Sequence, residues 1–209
     1  MIKPLGVILA GGLATRMGGG DKALLRLGEK PLLGHVIERL SPQVAQMAIN
    51  ANGDAARFAE FGLPVLPDSI DGFPGPLAGV LAGLDWAAAL GAETIVTVAA
   101  DTPFFPLNLA QRLLDRSAGQ THPLVVAATP RGDEQTRSMT KGLIRHPTFG
   151  LWPVALRDQL RAALNDGLKK VVLWTDQHGC REALFQTGQK DPFFNVNTPD
   201  DLVLAKAML

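Results

Sequence analysis

Short apolar runs that alternate with amphipathic stretches constrain this chain more than any other feature. Leu5–Leu9, Val44–Asn50, Leu63–Leu66, Thr94–Ala99 and Leu124–Ala128 are short and mainly apolar. Runs of that kind suit strands covered on both faces. Between them lie helical periods: Pro31–Leu40 with proline in its first turn, the alanine-rich Pro76–Leu90, and Leu107–Arg116. A β-α-β-α order of this type predicts an α/β fold, Rossmann-like and doubly wound, with a mainly parallel sheet and helices on both faces. After Thr129 the pattern loosens. Residues 130–142 are polar, have no consistent period and read as a loop. Phe149–Trp152 reads as a short strand, Pro153–Leu164 and Leu168–Thr175 as helices, and Glu182–Gln186 as a strand. Thr198 is placed to cap a last helix, with Pro199 at its first position and Asp200 and Asp201 beside the positive end of its dipole. No repeat or linker divides the chain, so residues 1–209 are expected to form one domain.

Composition removes several classes of function. Lys plus Arg and Asp plus Glu each total 20, for a formal net charge of zero. That balance argues against nucleic acid or an anionic membrane as partner, because both select basic surfaces. Cys180 is the single cysteine, so no intrachain disulfide and no Cys-rich metal site is expected. No apolar run reaches the ~20 residues that span a bilayer. The N-terminus lacks the pattern of a signal peptide. The expectation is a soluble, cytoplasmic protein.

The chemistry concentrates in LAGGLATRMGGGDKALLRLGEKPL, Leu9 to Leu32. In an open parallel sheet, ligands sit where strands end at their carboxyl edge. Gly11 and Gly12 let the backbone turn tightly and offer N–H groups to an anion, while Arg16 and Lys22 add full charges. Gly18, Gly19 and Gly20 keep side chains out of the path of a phosphate. The string is not a Walker A loop, since Asp21 precedes Lys22 and Ala23 follows it. It is not a Rossmann dinucleotide fingerprint either, because the glycine spacing begins too far from the strand. Glycines alone would equally suit a flexible strand-to-helix connection.

The full string is more specific. Leu9-Ala-Gly-Gly12, Arg16-Met-Gly-Gly19, Asp21-Lys22 and Leu27-Gly28-x-x-Pro31-Leu32 together resemble the nucleotidyltransferases that activate small phosphates with a nucleoside triphosphate. The more specific resemblance is to the molybdenum cofactor guanylyltransferases. It continues through Asn50-Ala-Asn52, Asp68, Gly75-Pro-Leu-Ala-Gly79, Asp101-Thr-Pro103, His146-Pro147, Leu151-Trp152 and Phe194-Asn-Val-Asn197-Thr-Pro199. Cytidylyltransferases of similar fold more often carry Leu-Ala-Ala-Gly in the first loop and lack the Gly75–Gly79 run, so guanine is the better match.

The resemblance implies GTP and the phosphorylated molybdopterin cofactor as substrates, and molybdopterin guanine dinucleotide and pyrophosphate as products. Leu9, Ala10, Gly11, Gly12, Lys22, Asn50, Asp68 and Asp101 are then the GTP-binding residues, with Arg16, Lys22 and Asp101 catalytic. Asp101 would hold Mg²⁺, a cation that takes few protein carboxylates and accepts phosphate oxygens. Asn195 and Asn197 are candidates for the acceptor, where a helix N-terminus could help hold a phosphate; simple capping would serve as well. The nucleotide part is about residues 1–106 and the acceptor part about 107–209. His146 is open between a place near the acceptor and a hydrogen-bonded structural role. Asn52 better fits an ordinary turn, His35 a structural role, and the three tryptophans the core. A monomer is expected, with molybdoenzymes or their chaperones as possible recipients. Three alternatives stay open: cytidylyl transfer to the same cofactor, nucleotidyl transfer to a sugar or polyol phosphate, and a non-catalytic guanine-nucleotide or cofactor carrier.

Overall fold

A computed structural model describes residues 3–11, 21–70, 72, 75–131, 142–168, 170–188 and 190–209. The chain begins with β1 (Leu5–Leu9), then a 3₁₀ turn (Lys22–Leu24) and a small hairpin of β2 (Arg26–Leu27) and β3 (Lys30–Pro31). Next come α1 (Leu32–Leu40), β4 (Met47–Asn50), a 3₁₀ turn (Ala55–Phe61), β5 (Val65–Leu66), α2 (Pro76–Ala89) and β6 (Thr94–Ala99). The second half has α3 (Leu109–Ser117), β7 (Val125–Pro130), β8 (Leu143–Pro153), α4 (Arg157–Asn165), α5 (Val171–Gln177), β9 (Arg181–Leu184) and α6 (Pro199–Ala207).

Seven strands form one sheet in the order β5-β4-β1-β6-β8-β7-β9. Every pair is parallel except the two made by β8, which runs antiparallel between β6 and β7. The expected mainly parallel sheet is therefore present, with one reversed strand. Alternating side chains cover both faces. Ile8, Ile49, Val96 and Val98 pack with α1 and α3, while Leu5, Val7 and Ile95 pack with α2, α4 and α5. Trp152 crosses to the second face and donates from Nε1 to Thr97 Oγ1 at 2.8 Å, which satisfies both buried polar groups.

Several element boundaries depart from the sequence reading. The strand expected at Phe149–Trp152 is the last part of an eleven-residue β8. Its pairing carries Pro153 into the sheet, opposite Thr94, and delays the expected helix to Arg157. The polar segment 130–142 lies largely outside the described residues: Pro130 ends β7, and residues 132–141 are not described. The last helix is capped as expected. Thr198 Oγ1 accepts from Asp201 N while Asp201 accepts from Thr198 N, a reciprocal capping box. No helix among the described residues is long and apolar enough to cross a membrane.

A third apolar cluster decides where the C-terminal segment lies. Val196 and Ala205 pack against Leu27 and Leu32, at the hairpin and the start of α1. This returns the segment around Val196 to the hairpin and brings Asn197 to Lys22.

Candidate active site

Parallel pairing aligns the ends of four strands. Leu9 is in register with both Asn50 and Ala99, and Asn50 with Leu66. Backbone bonds continue one residue further, from Ala10 N to Asn50 O, Ala51 N to Leu66 O and Ala100 N to Leu9 O, at 2.9–3.1 Å. Gly11, Asn52, Asp68 and Asp101 therefore all stand two residues beyond one aligned row. β1 lies between β4 and β6, with α1 and α2 packed on opposite faces, so this is the point where the strand order reverses. A cavity of about 690 Å³ opens there, lined among others by Leu9, Gly11, Asn50, Asp68, Asp101 and Asn195. Its size is in the range of small-molecule sites.

One end of the cavity carries a carboxylate held by amides. Asn50 is buried, and its Nδ2 donates to Leu66 O at 3.0 Å and to Asp68 Oδ1 at 2.9 Å. Asn52 donates to Asp68 Oδ2 at 2.7 Å, and its own Oδ1 accepts from Asp68 N at 2.8 Å. Each carboxylate oxygen keeps a lone pair for a ligand's N–H. The sequence reading left Asn52 as a turn residue. The structure makes it half of the clamp on Asp68, and the i, i+2 spacing of Asn50 and Asn52 was the available signal.

Asn50 can occupy this position because Gly79, in the first turn of α2, has no side chain. A Cβ at Gly79 would lie 2.1 Å from Asn50 Oδ1. The Gly75–Gly79 run thus contributes close packing of helix against strand end, in addition to lining the cavity with Gly75 and Pro76.

The other end centres on Asp101 and Lys22. Lys22 Nζ is 2.5 Å from Asp101 Oδ2 and also donates to Asn197 Oδ1. The lysine side chain is only 12% exposed, which excludes an ordinary solvated lysine. Asp101 caps no helix: the residue before α3 is Asn108, and Asp101 Oδ1 instead accepts from Thr102 Oγ1 at 3.1 Å. Thr102 also bonds Asn195, and Val196 N donates to Asp101 O at 2.9 Å. The C-terminal segment therefore straps directly onto Asp101, and Thr102 is a participant that the sequence reading missed.

The site residues separate into three groups. Leu9, Ala10, Gly11, Lys22, Asn50, Asp68 and Asp101 converge on one edge of the sheet, and Asn195 and Asn197 join them at the Asp101 end. Gly12 and Arg16, together with Gly18–Gly20, lie outside the described residues. At the start of α6, of the two alternatives the sequence left open, the structure shows capping. Asp201 already accepts from the backbone N–H groups of Asn197 and Thr198, at 2.9 and 2.8 Å, and would repel a second anion. Those bonds hold its carboxyl below the ordinary carboxylate range.

His146 is a packed residue. Its Nε2 bonds Thr129 Oγ1 at 2.9 Å, its ring stacks on Phe193 at 4.2 Å, and burial lowers its pKa. Two residues along β8, Thr148 reaches the cavity. His35 is structural, bonded to Leu27 O. Burial pushes the Cys180 thiol up to about 12, which suits an inert residue.

Among the described residues, no group of three or more His, Cys, Asp or Glu side chains could cage a metal ion. The donor set at Asp101, one carboxylate beside amide oxygens, suits a hard cation that brings phosphate oxygens with it.

Comparison with known proteins bears on this geometry. Residues 6–180 match the family model described as the MobA-like NTP transferase domain. A molybdenum cofactor guanylyltransferase of Mesorhizobium japonicum is 46% identical, with 98% of this chain and 95% of that protein covered. One of Rhodopseudomonas palustris is 48% identical, with 96% and 91% covered. Among solved structures, the molybdopterin-guanine dinucleotide biosynthesis protein A of Archaeoglobus fulgidus superposes with a TM-score of 0.69 at 21% identity, covering 98% and 97%. A CMP:2-keto-3-deoxy-manno-octonic acid synthetase complexed with CTP gives 0.74 at 14% identity, covering 99% and 98%. At these identities the two structures establish the fold alone.

Proposed function

We infer that this chain, which belongs to the MobA-like NTP transferase family and groups with its molybdenum cofactor guanylyltransferases, transfers GMP from GTP to the phosphate of molybdopterin. The observation that carries the reading is the polarity of the cavity. An oriented carboxylate, Asp68, marks one end, and a lysine–aspartate pair, Lys22 and Asp101, marks the other. Guanine presents two adjacent N–H donors on one edge, and a carboxylate with a free lone pair on each oxygen accepts both. The triphosphate then lies toward Lys22.

In the reaction, an oxygen of the acceptor's terminal phosphate attacks the α-phosphorus of GTP in line. A new P–O–P bridge forms while the bond to the β-phosphate breaks, and pyrophosphate leaves with the electron pair. The attacking phosphate is already ionised at neutral pH, so no base has to remove a proton. The protein positions the two phosphates and neutralises charge on the leaving group. Lys22 exchanges its partner Asp101 for the β/γ-phosphates, and Arg16 assists. Gly11 and Gly12 would serve the triphosphate through their backbone N–H groups. Mg²⁺ at Asp101 would supply further neutralisation of phosphate oxygens. Asn195 and Asn197 hold the Asp101 end against the acceptor, which occupies the part of the chain beyond about residue 106. The protein acts as a cytoplasmic monomer, and sedimentation at working concentration checks that state.

The direct experiment mixes the protein with GTP, Mg²⁺ and molybdopterin and measures pyrophosphate release, with CTP, ATP and UTP in parallel. Release with GTP alone supports the reading. Faster release with CTP assigns the protein to cytidylyl transfer, and tight GTP binding without release makes it a carrier.

A further inference from the structure

Arg57, in the 3₁₀ turn between β4 and β5, stands outside the cavity's described lining yet touches Asn52, which lines it, and Asp21, the neighbour of Lys22. Its Nε lies 2.7 Å from Asp21 Oδ2, an ion pair set off the N–H axis. Its Nη2 donates to Asn52 O at 2.5 Å and its Nη1 to Asp54 O at 3.1 Å. The guanidinium rests 4.8 Å from the ring centroid of buried Phe58. Asp54 and Phe58 are local partners and would suffice to hold the turn. Asp21 and Asn52 are not local in function. Asp21 directly precedes Lys22, and Asn52 orients Asp68.

We infer that Arg57 is a positioning residue: through Asp21 it sets where Lys22 meets the triphosphate, and through Asn52 it sets the carboxylate that reads the base. The inference rests on the guanylyl-transfer reading above. The planar fork of arginine is what permits this: it sends Nη2 to Asn52 O and Nη1 to Asp54 O from one rigid plane, while its charge pairs with Asp21. A lysine supplies the charge without the fork. The ion pair is partly exposed, 26% for Arg57 and 18% for Asp21, so its effect is modest and is read in ratios of affinities.

The test uses the full chain as Arg57→Met, Arg57→Lys and Asp21→Asn, with calorimetric affinities for GTP, GMP and ATP and melting temperatures for each. Arg57→Met should lower both the GTP/GMP ratio and the GTP/ATP ratio by about 5-fold, the upper end for a partly exposed ion pair. Arg57→Lys should recover the first ratio and not the second. Asp21→Asn should lower only the first. A purely structural arginine would lower melting temperature and weaken all three nucleotides equally, and that result overturns the inference. Should Arg57→Met fail to fold, Asp21→Asn with an unchanged GTP/GMP ratio overturns it instead. Wild-type protein without preference for GTP over ATP overturns the guanylyl reading itself. Wild-type preference with unchanged ratios in Arg57→Met overturns this inference alone.

Discussion

Gly79→Ala tests whether the contact between α2 and Asn50 selects the nucleotide. The added methyl would stand 2.1 Å from Asn50 Oδ1, 2.8 Å from its Cγ and 2.9 Å from Leu9 Cδ2. The helix has little room to retreat, because Leu77, Val80, Leu81 and Leu84 are all buried against the sheet. Asn50 must therefore rotate, breaking its bonds to Leu66 O and Asp68 Oδ1. Two hydrogen bonds at ~0.5–1.5 kcal/mol each amount to about 1–3 kcal/mol. If all of it falls on base recognition, GTP binds about 5- to 150-fold more weakly. Fold stability changes less. Overpacking costs ~1–3 kcal/mol, and alanine regains ~1 kcal/mol over glycine in a helix interior. Gly83→Ala is the control. It lies one turn further along α2, where a Cβ would meet Val7 Cγ2 at 2.7 Å and Ile95 Cδ1 at 2.9 Å, both core side chains. The assay is thermal melting of both variants with calorimetric titration by GTP and ATP. Both should lose comparable stability, and Gly79→Ala alone should lose GTP affinity. Equal GTP affinity in the two folded variants would refute the argument that Gly79 places Asn50.

Other perturbations address the remaining parts of the site. Lys22→Ala should weaken GTP by about 1.5–3 kcal/mol and GMP much less, since the proposed contact lies beyond the α-phosphate; equal losses by titration would move Lys22 off the β/γ-phosphates. Asp101→Asn should lower turnover by on the order of 10²–10³ while circular dichroism shows a retained fold. A near-normal rate with unchanged Mg²⁺ dependence would remove Asp101 from the chemistry. For His146, burial lowers the pKa from the 6.5 of a free histidine, so the unfolded chain binds the proton more readily than the folded one. Its contribution to stability is therefore complete above about pH 6.5 and is lost as pH falls from there through the lower folded value. Melting at pH 7.5 and 5.5 should show a larger acid loss for wild type than for His146→Gln, and identical losses would count against a buried neutral imidazole.

Much of the frame was legible in the residues themselves. Apolar runs such as Leu5–Leu9 and Thr94–Ala99 have no polar face, so they had to become strands covered on both sides, and parallel pairing then brings their carboxyl ends to one edge. Position in a strand was enough to deliver Gly11, Asn50, Asp68 and Asp101 together. What pattern could not give was contact between segments far apart in sequence. Periodicity reports which face of an element is apolar and says nothing about which remote group fills a given gap. Asn52 reads locally as a turn, and only the return of β5 beside β4 supplies the Asp68 carboxylate that it orients. Asn197 sits 175 residues from Lys22, and they meet because Val196 and Ala205 bury their side chains against Leu27 and Leu32. β8 was misjudged for the same reason. Pro153 suits the first position of a helix and disfavours a strand, and pairing opposite Thr94 on β6 overrode that local preference. The sequence alone thus determined the strand order's common edge and the residue types placed on it, whereas tertiary packing decided their partners, because a hydrogen bond or ion pair depends on the position of both groups and each segment encodes only its own.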